Sequence, residues 1–236
     1  MTTGEARSDD AAKLLGELLS LVPADLHHEF GEVFYSGVTA FEQRSPMYLL
    51  GFNPGGDPAK AAVDHYTIGY DLNLARTAAR YDWSGFEDDW RDFGPGAVAF
   101  QRRVRHLIAT CKIGSPRWVP ASNLIFIRSA RMETLEADRT KSLLRECWAV
   151  HAKAISTLDI RVIVCFGQAT GQWVRSQVGV VDEAIDTFIE TNQRRWRSAT
   201  HVGHGGIQVV TLTHLSLASA MGPPRCHEHG TTWKCY

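Results

Sequence analysis

Hydrophobic residues along this chain fall into short unbroken runs, set between longer stretches where they recur every three or four positions. The runs Met47–Phe52, Ser122–Ile127, Arg161–Phe166 and Ile207–Thr213 read as strands. Three of them are close to continuously apolar, as strands buried on both faces are. Over Glu136–Leu158 the positions of Leu143, Leu144, Trp148, Ala152 and Ile155 suit one face of a helix. Further helices are expected near Ala97–Cys111, over Gly167–Val178, over Ala11–Val22 with Asp9 or Asp10 as cap, and over Asp25–Phe41. Strand, crossover helix and strand in repetition predict an α/β fold: a three-layer α/β/α sandwich around a mainly parallel four-stranded sheet. A long insert, Pro54–Pro120, separates the first two strands. No repeat or linker divides the chain, so a single domain over 1–236 is expected. Its core spans about 47–222, after an N-terminal helical extension, 1–46, and before a short C-terminal tail.

Composition narrows the picture modestly. With 236 residues, 44% hydrophobic and 22% charged, the chain reads as a soluble globular protein able to fill one core. No apolar run approaches the ~20 residues that span a bilayer, so no membrane partner is expected. Met1–Asp10 is polar and mixed in charge, unlike a secretory leader. Five scattered cysteines (Cys111, Cys147, Cys165, Cys226, Cys235) favour free thiols and a cytoplasmic location. A monomer is expected. The net charge of -1 supplies no global attraction to DNA, so any nucleic-acid contact has to come from a local basic face.

In a sheet of this kind ligands bind beyond the carboxyl ends of the strands. The first strand delivers Gly51-Phe52-Asn53-Pro54-Gly55-Gly56, in which the glycines let the backbone approach a ligand and Pro54 stiffens the turn. An amide there can hold a water or a substrate group, though it is no strong base; the stretch reads equally as an ordinary strand-to-loop turn. The second strand carries Asn123 near its start and runs into Arg128-Ser129-Ala130-Arg131. The third ends at Gly167-Gln168, and the fourth at Thr213-His214-Leu215-Ser216-Leu217. Two Asn, one His and several arginines are thus expected on one rim.

This set resembles the uracil-DNA glycosylase superfamily. Gly51-Phe52-Asn53-Pro54-Gly55 looks like the first motif of the Gly-x-Asn-Pro-Gly branches, the mismatch-specific and single-strand-selective enzymes. Thr213-His214-Leu215-Ser216-Leu217 is similar to the second motif, Ser122-Asn123-Leu124 to the middle strand, and Val162–Gly167 to the third strand with its glycine. The likeness spans roughly Met47–Gly222. It departs at Leu215 and Leu217, where prolines are usual. No paired cysteines match the iron–sulfur branches, so no cofactor is expected.

The resemblance implies hydrolysis of the N-glycosidic bond of uracil or a related deaminated base in DNA. Asn53 would hold the attacking water and His214 would donate to the departing base oxygen. Asn123 would read the base edge, accepting from N3–H and donating to O4. Gly51, Phe52, Pro54 and Gly55 would shape the pocket, with Tyr66 (or its neighbour Tyr70) as the stacking platform. Gly55 stands where the classical uracil branch has a Tyr that blocks thymine. Asp57 is a nearby carboxylate that could assist Asn53. Arg128, Ser216 and Leu217 would contact DNA, Leu217 (or Met221) as a wedge in the vacated stack. The altered second motif also fits a member of the fold that binds nucleic acid with little or no catalysis.

Other features carry weaker signals. Arg102, Arg103 and Arg105 suit a solvated helix face, and Arg194, Arg195 and Arg197 around Trp196 suit single-stranded bases. Trp83, Phe86, Trp90 and Phe93 read as packing or lid residues. Cys226-His227-Glu228-His229 lacks paired metal-ligand spacing, so no metal is expected. The first motif also lacks the Gly-Lys-Ser/Thr ending of a phosphate-binding loop.

Overall fold

The computed structural model describes residues 3–56, 67–89, 94–130, 135–180, 182–191, 193–213, 215, 226–229 and 232–235. Strands β1 (Met47–Gly51), β2 (Ala121–Asn123), β3 (Val162–Phe166), β4 (Asp186–Ile189), β5 (Arg197–Val202) and β6 (Gln208–Leu212) form one sheet in the order β2-β1-β3-β6-β5-β4. The β2-β1-β3-β6 block is parallel, and β5 runs against both β6 and β4. The sheet therefore has six strands, not the four expected. The hairpin β4–β5 extends it beyond the parallel block, with burial alternating along β4 as in a strand with one face in water.

Side chains alternate across the parallel block and seed a cluster on each face. Tyr48, Leu50, Ile163, Cys165 and Val209 join one, with Leu14, Leu15, Leu18 and Leu19 of α1 (Thr3–Ser20) and Cys147, Val150 and Ala154 of α4 (Ala137–Thr157). Met47, Leu49, Val162, Val164, Phe166, Val210 and Leu212 join the other, with Val104, Leu107 and Ile108 of α3 (Ala99–Thr110). Helices α2 (Ile68–Leu74) and α5 (Gln168–Gln177) complete the set. Helix α1 begins well before Asp9 and Asp10, which lie inside it rather than capping it. Cys111, Cys147 and Cys165 are buried free thiols; burial pushes the first two up to about 12.

Two further expectations are corrected. Asp25–Phe41 is not a helix: short 3₁₀ turns at Ala24–Leu26 and Val38–Phe41 flank an extended strap. The strap lies antiparallel along β2 and its continuation, through Phe34 beside Ser122 and Gly31 beside Ile127. Its Glu32 and Tyr35 amides donate to the carbonyls of Phe126 (3.0 Å) and Ala121 (2.9 Å). It thereby covers a sheet edge whose backbone groups would otherwise lack partners. Regular β2 stops at Asn123, three residues in; beyond it Leu124 and Ile125 donate to the carbonyls of Gly51 and Phe52 instead of extending the ladder. The short C-terminal tail is itself ordered as two paired strands, β7 (Cys226–His229) and β8 (Thr232–Cys235). Among the described residues no helix is long and apolar enough to cross a membrane.

The strap tests how tightly this edge is closed. A Cβ on Gly31 would stand 2.1 Å from the carbonyl oxygen of Phe126 and 2.7 Å from the Ile68 side chain. Gly31→Ala should therefore cost about 1–3 kcal/mol, as overpacking does. Tm should fall by roughly 2–4 °C for each kcal/mol. An unchanged melting curve would show that the strap is not seated on the Phe126 backbone.

Candidate active site

Two chain segments leave the sheet side by side and form the centre of the rim. The turn after β1 runs beside the segment after β2, held by Ser129 N–H on the Pro54 carbonyl (3.1 Å) and a bridge between Gly55 and Ser129. Asn53 stitches the two together. Its Nδ2 donates to Ser129 Oγ (2.8 Å), to the Pro54 carbonyl (3.1 Å) and, at 3.4 Å, to that of Ile127. With the NH₂ end so held, Oδ1 is the end of the carboxamide available to a ligand.

Asn123 ends β2 directly across the ladder from Gly51, on the same rim. Its side chain is buried, with Nδ2 donating to the Tyr35 hydroxyl at 2.8 Å. A Cβ on Gly51 would stand 2.1 Å from Asn123 Oδ1. Glycine at 51 thus makes room for the Asn123 amide, a reason different from the ligand approach expected of it. Gly55 is exposed, and among the described residues a Cβ there would meet nothing within 4 Å. Phe52 is half-buried against the core and Pro54 is buried, which fixes the turn from beneath.

A row of aromatic rings that the sequence did not single out runs along the Asn123 side. Tyr35, Phe86, Phe100 and Phe166 follow one another with centroid separations of 6.1, 5.9 and 5.6 Å. Phe86 had been read as packing or lid; it is buried within this row. Tyr66, the expected platform, lies outside the described residues, as do Asp57, Trp90, Phe93, Arg131, His214, Ser216, Leu217 and Met221. Either side of position 214, Thr213 follows the end of β6 and the buried Leu215 packs into the α3-side cluster. Arg103 of α3 donates to the Leu215 carbonyl, so one residue expected on a solvated face anchors the second-motif loop.

Arg128 occupies a different place from the one expected. Its side chain is only 3% exposed, pairs with Glu32 at 3.6 Å and donates to the Gly55 carbonyl. That is the geometry of a buttress beneath the turn, not of a side chain reaching a phosphate. Asp71 of α2, also buried, accepts from Val33 N–H at 2.8 Å. Burial first, and then the neighbouring Glu32, push its carboxyl up to about 7, while Val33 N–H, Arg80 and Arg128 pull it down. In the core cluster that α1 and α4 pack against, the Tyr48 hydroxyl meets His151 Nδ1 at 2.9 Å, and burial holds His151 down at about 4, neutral at physiological pH.

Among the described residues no group of three or more His, Cys, Asp or Glu is placed to hold a metal ion. No protein-family model matches the chain, and a search of curated proteins returned no match.

Two measurements test the buried charges. Arg128→Met removes a buried cation from beside Glu32, and stability should fall by about 3–5 kcal/mol, as when one partner of a buried pair is removed. A surface phosphate contact would instead leave the denaturant midpoint in place and weaken only DNA binding. For Asp71, the folded carboxyl titrates above its ordinary 3.8, so its contribution to stability is full below about pH 4 and is lost as pH rises to about 7. His151 acts in the opposite sense, losing stability as pH falls from about 6.5 to about 4, but is common to wild type and variant. Asp71→Asn keeps an acceptor for Val33 and should remove the Asp71 decline from the difference between the two stability profiles. Parallel profiles between pH 4 and 7 would show Asp71 ionised throughout.

Proposed function

We propose that this protein is a DNA glycosylase that hydrolyses the N-glycosidic bond of uracil or a related deaminated base, an entry step of base excision repair. The reading takes the resemblance to the Gly-x-Asn-Pro-Gly branches of the uracil-DNA glycosylase superfamily together with a three-layer α/β/α arrangement in a cytoplasmic monomer. Packing on both faces of the sheet supports that arrangement. The observation that carries the reading is the state of Asn53: its NH₂ is fixed by the neighbouring loop, so its carbonyl oxygen is preset to accept from a water.

In the proposed reaction the water attacks C1′ of the sugar as the bond from C1′ to the base breaks. The bonding pair leaves with the base, and the sugar carries positive charge until the water oxygen adds and loses its proton. Asn53 orients that water but is too weak a base to take its proton outright, so slow turnover is expected. His214 donates to the oxygen of the departing base, where negative charge collects. The ends of β1 and β6 are two strand spacings apart, about 10 Å, room for a planar base between residues that follow them. Asn123 gives one N–H to Tyr35 and keeps its second N–H and Oδ1 for a pyrimidine edge. Glycine at 55, where the classical uracil branch has a blocking Tyr, argues for tolerance of bases bulkier than uracil. The ring row containing Phe100 offers a platform alternative to Tyr66.

Base release from oligonucleotides bearing uracil, hypoxanthine or a thymine mismatch tests the reading. Asn53→Ala should abolish most release while sparing DNA affinity, and His214→Ala should slow it by about 10²–10³, as loss of one oxyanion donor does. Release unchanged in both variants would remove these residues from the chemistry. DNA binding without release from any substrate by the wild type would favour the catalytically silent reading, which the replacements Leu215 and Leu217 leave open.

A further inference from the structure

The β4–β5 hairpin has no role in the chemistry above, and its tip carries an unusual concentration of charge. From Glu190 to Arg197 there are three arginines (Arg194, Arg195, Arg197) and one acid (Glu190), in a chain whose net charge is -1. All three arginines are exposed. The other acids of the hairpin stand at its opposite end: Asp182 and Glu183 precede β4, and Asp186 pairs with Thr200. Charge is thus sorted along the hairpin, basic at the tip.

Register fixes where the tip lies. Ala199 pairs with Thr211, one residue from the end of β6, so the chain from Arg197 back to Glu190 projects past the carboxyl end of β6. Gln168, the first residue of α5, ties the tip to the same rim by donating to the Arg197 carbonyl at 2.9 Å. Thr200 faces with Val210, and the period of two puts Ser198 and Trp196 on that face too, the α3 side on which Asn123 and Tyr35 meet. Three strand spacings, about 14 Å, separate β1 from β5. That is roughly four base steps of a duplex strand.

The tip is also built for stacking. Trp196 is half-exposed, and the guanidinium of Arg194 lies over its ring with Cζ 4.7 Å from the centroid. Arg195, between them, takes the left-handed conformation (φ 47°) that glycine or asparagine adopts more easily, yet the position holds a cation. Burial, then Arg175 and Arg197, depress the pKa of His201, an imprint of the positive field along this strand.

We infer that the Arg194–Arg197 tip is a docking surface for a nucleic-acid strand, with the arginines on successive phosphates and Trp196 stacked on an unpaired base. This rests on the glycosylase reading for the purpose of the contact: the strand held here is the flank of the nucleotide taken into the Asn53 site. Arginine and aromatic side chains in this combination recognise single strands by backbone charge and by the π-face that every base shares.

The test uses the whole protein and undamaged, fluorescein-labelled oligonucleotides, so it does not depend on catalysis. Anisotropy titrations at several salt concentrations should give a salt slope for Arg194→Gln/Arg195→Gln that is shallower by about 1.4 on a single strand and about 1.8 on a duplex. Trp196→Ala should weaken single-strand binding by about tenfold, and Trp196→Phe should restore most of it. On an abasic strand of the same length Trp196→Ala should bind like wild type, since only phosphates remain to be held. Equal slopes for wild type and the double variant, or no binding of any oligonucleotide by the wild type, would overturn the inference. A Trp196→Ala loss that persists on the abasic strand would overturn the stacking contact. Hairpin-dependent binding with no base release from lesion-bearing strands would leave the docking surface standing and remove the glycosylase reading.

Discussion

A guanidinium taken out of water has to be met by charge and by acceptors, and Arg128 is met by Glu32 of the strap and by the Gly55 carbonyl of the first turn. The position of the turn follows from that requirement. Glu32 is held because its amide donates to Phe126 and because the strap that carries it is pinned by Val33 N–H on Asp71. Asp71 in turn sits on α2, whose first turn is capped by the Thr67 hydroxyl accepting from Tyr70 N–H. A chain of buried polar contacts therefore runs from a helix in the insert, through the edge strap, to the backbone that presents Asn53. Glu32, Asp71 and Arg128 are buried members of that chain, so a change at one alters the electrostatic balance of the others.

With that base fixed, the rim is assembled by backbone register rather than by long side chains. Gly51 lies opposite Asn123, and Asn53 bridges to Ser129 because the two exit segments stay paired after the regular ladder has ended. Asn53 has its NH₂ tied to the carbonyls of Pro54 and Ile127 as well as to Ser129, which fixes the sense of its amide, whereas the Tyr35 hydroxyl that meets Asn123 can donate or accept. A carboxamide free to flip presents a donor or an acceptor at the same spot. Tying one end removes that ambiguity before any ligand arrives, the preorganisation that gives polar groups their effect in a site.

The parts of this fold legible in the sequence are those whose burial is uniform. Val162–Phe166 and Met47–Gly51 are apolar on both faces because both faces are covered, and α4 carries its buried positions in helical rhythm. Strands β4 and β5 are not legible as apolar runs because β4 has a face in water and the residues of β5 (Arg-Ser-Ala-Thr-His-Val) are mostly polar. The strap looked helical because Phe30, Val33, Phe34, Val38 and Phe41 recur at helical spacing; Gly31 and Gly37 are small there because backbone carbonyls of Phe126 and Arg80 press against them. Within the candidate site, the place of Asn53 after the first strand was legible, whereas Asn123 was expected near the start of a strand and instead ends β2. The role of Arg128 was not legible, since the acid that buries it lies far along the chain and no local pattern joins them.

In the proposed reading, the hairpin and the buried cluster divide the arginines of a chain of net charge -1 between two tasks. Arginine serves two opposite purposes here. Arg128 and Arg103 turn inward to backbone carbonyls and shape loops, so their charge contributes little outside the protein. Arg194, Arg195 and Arg197 are exposed at the end of a hairpin, where screening limits the reach of their charge to about 8–10 Å at ordinary ionic strength. A field of that range does not draw in DNA from afar; it acts once a strand already lies along the rim. On the glycosylase proposal, such a surface would sample many sites weakly and hold a strand only where stacking on Trp196 and insertion of a base near Asn53 occur together. The short range of the charge makes recognition depend on the base, which phosphates alone cannot supply.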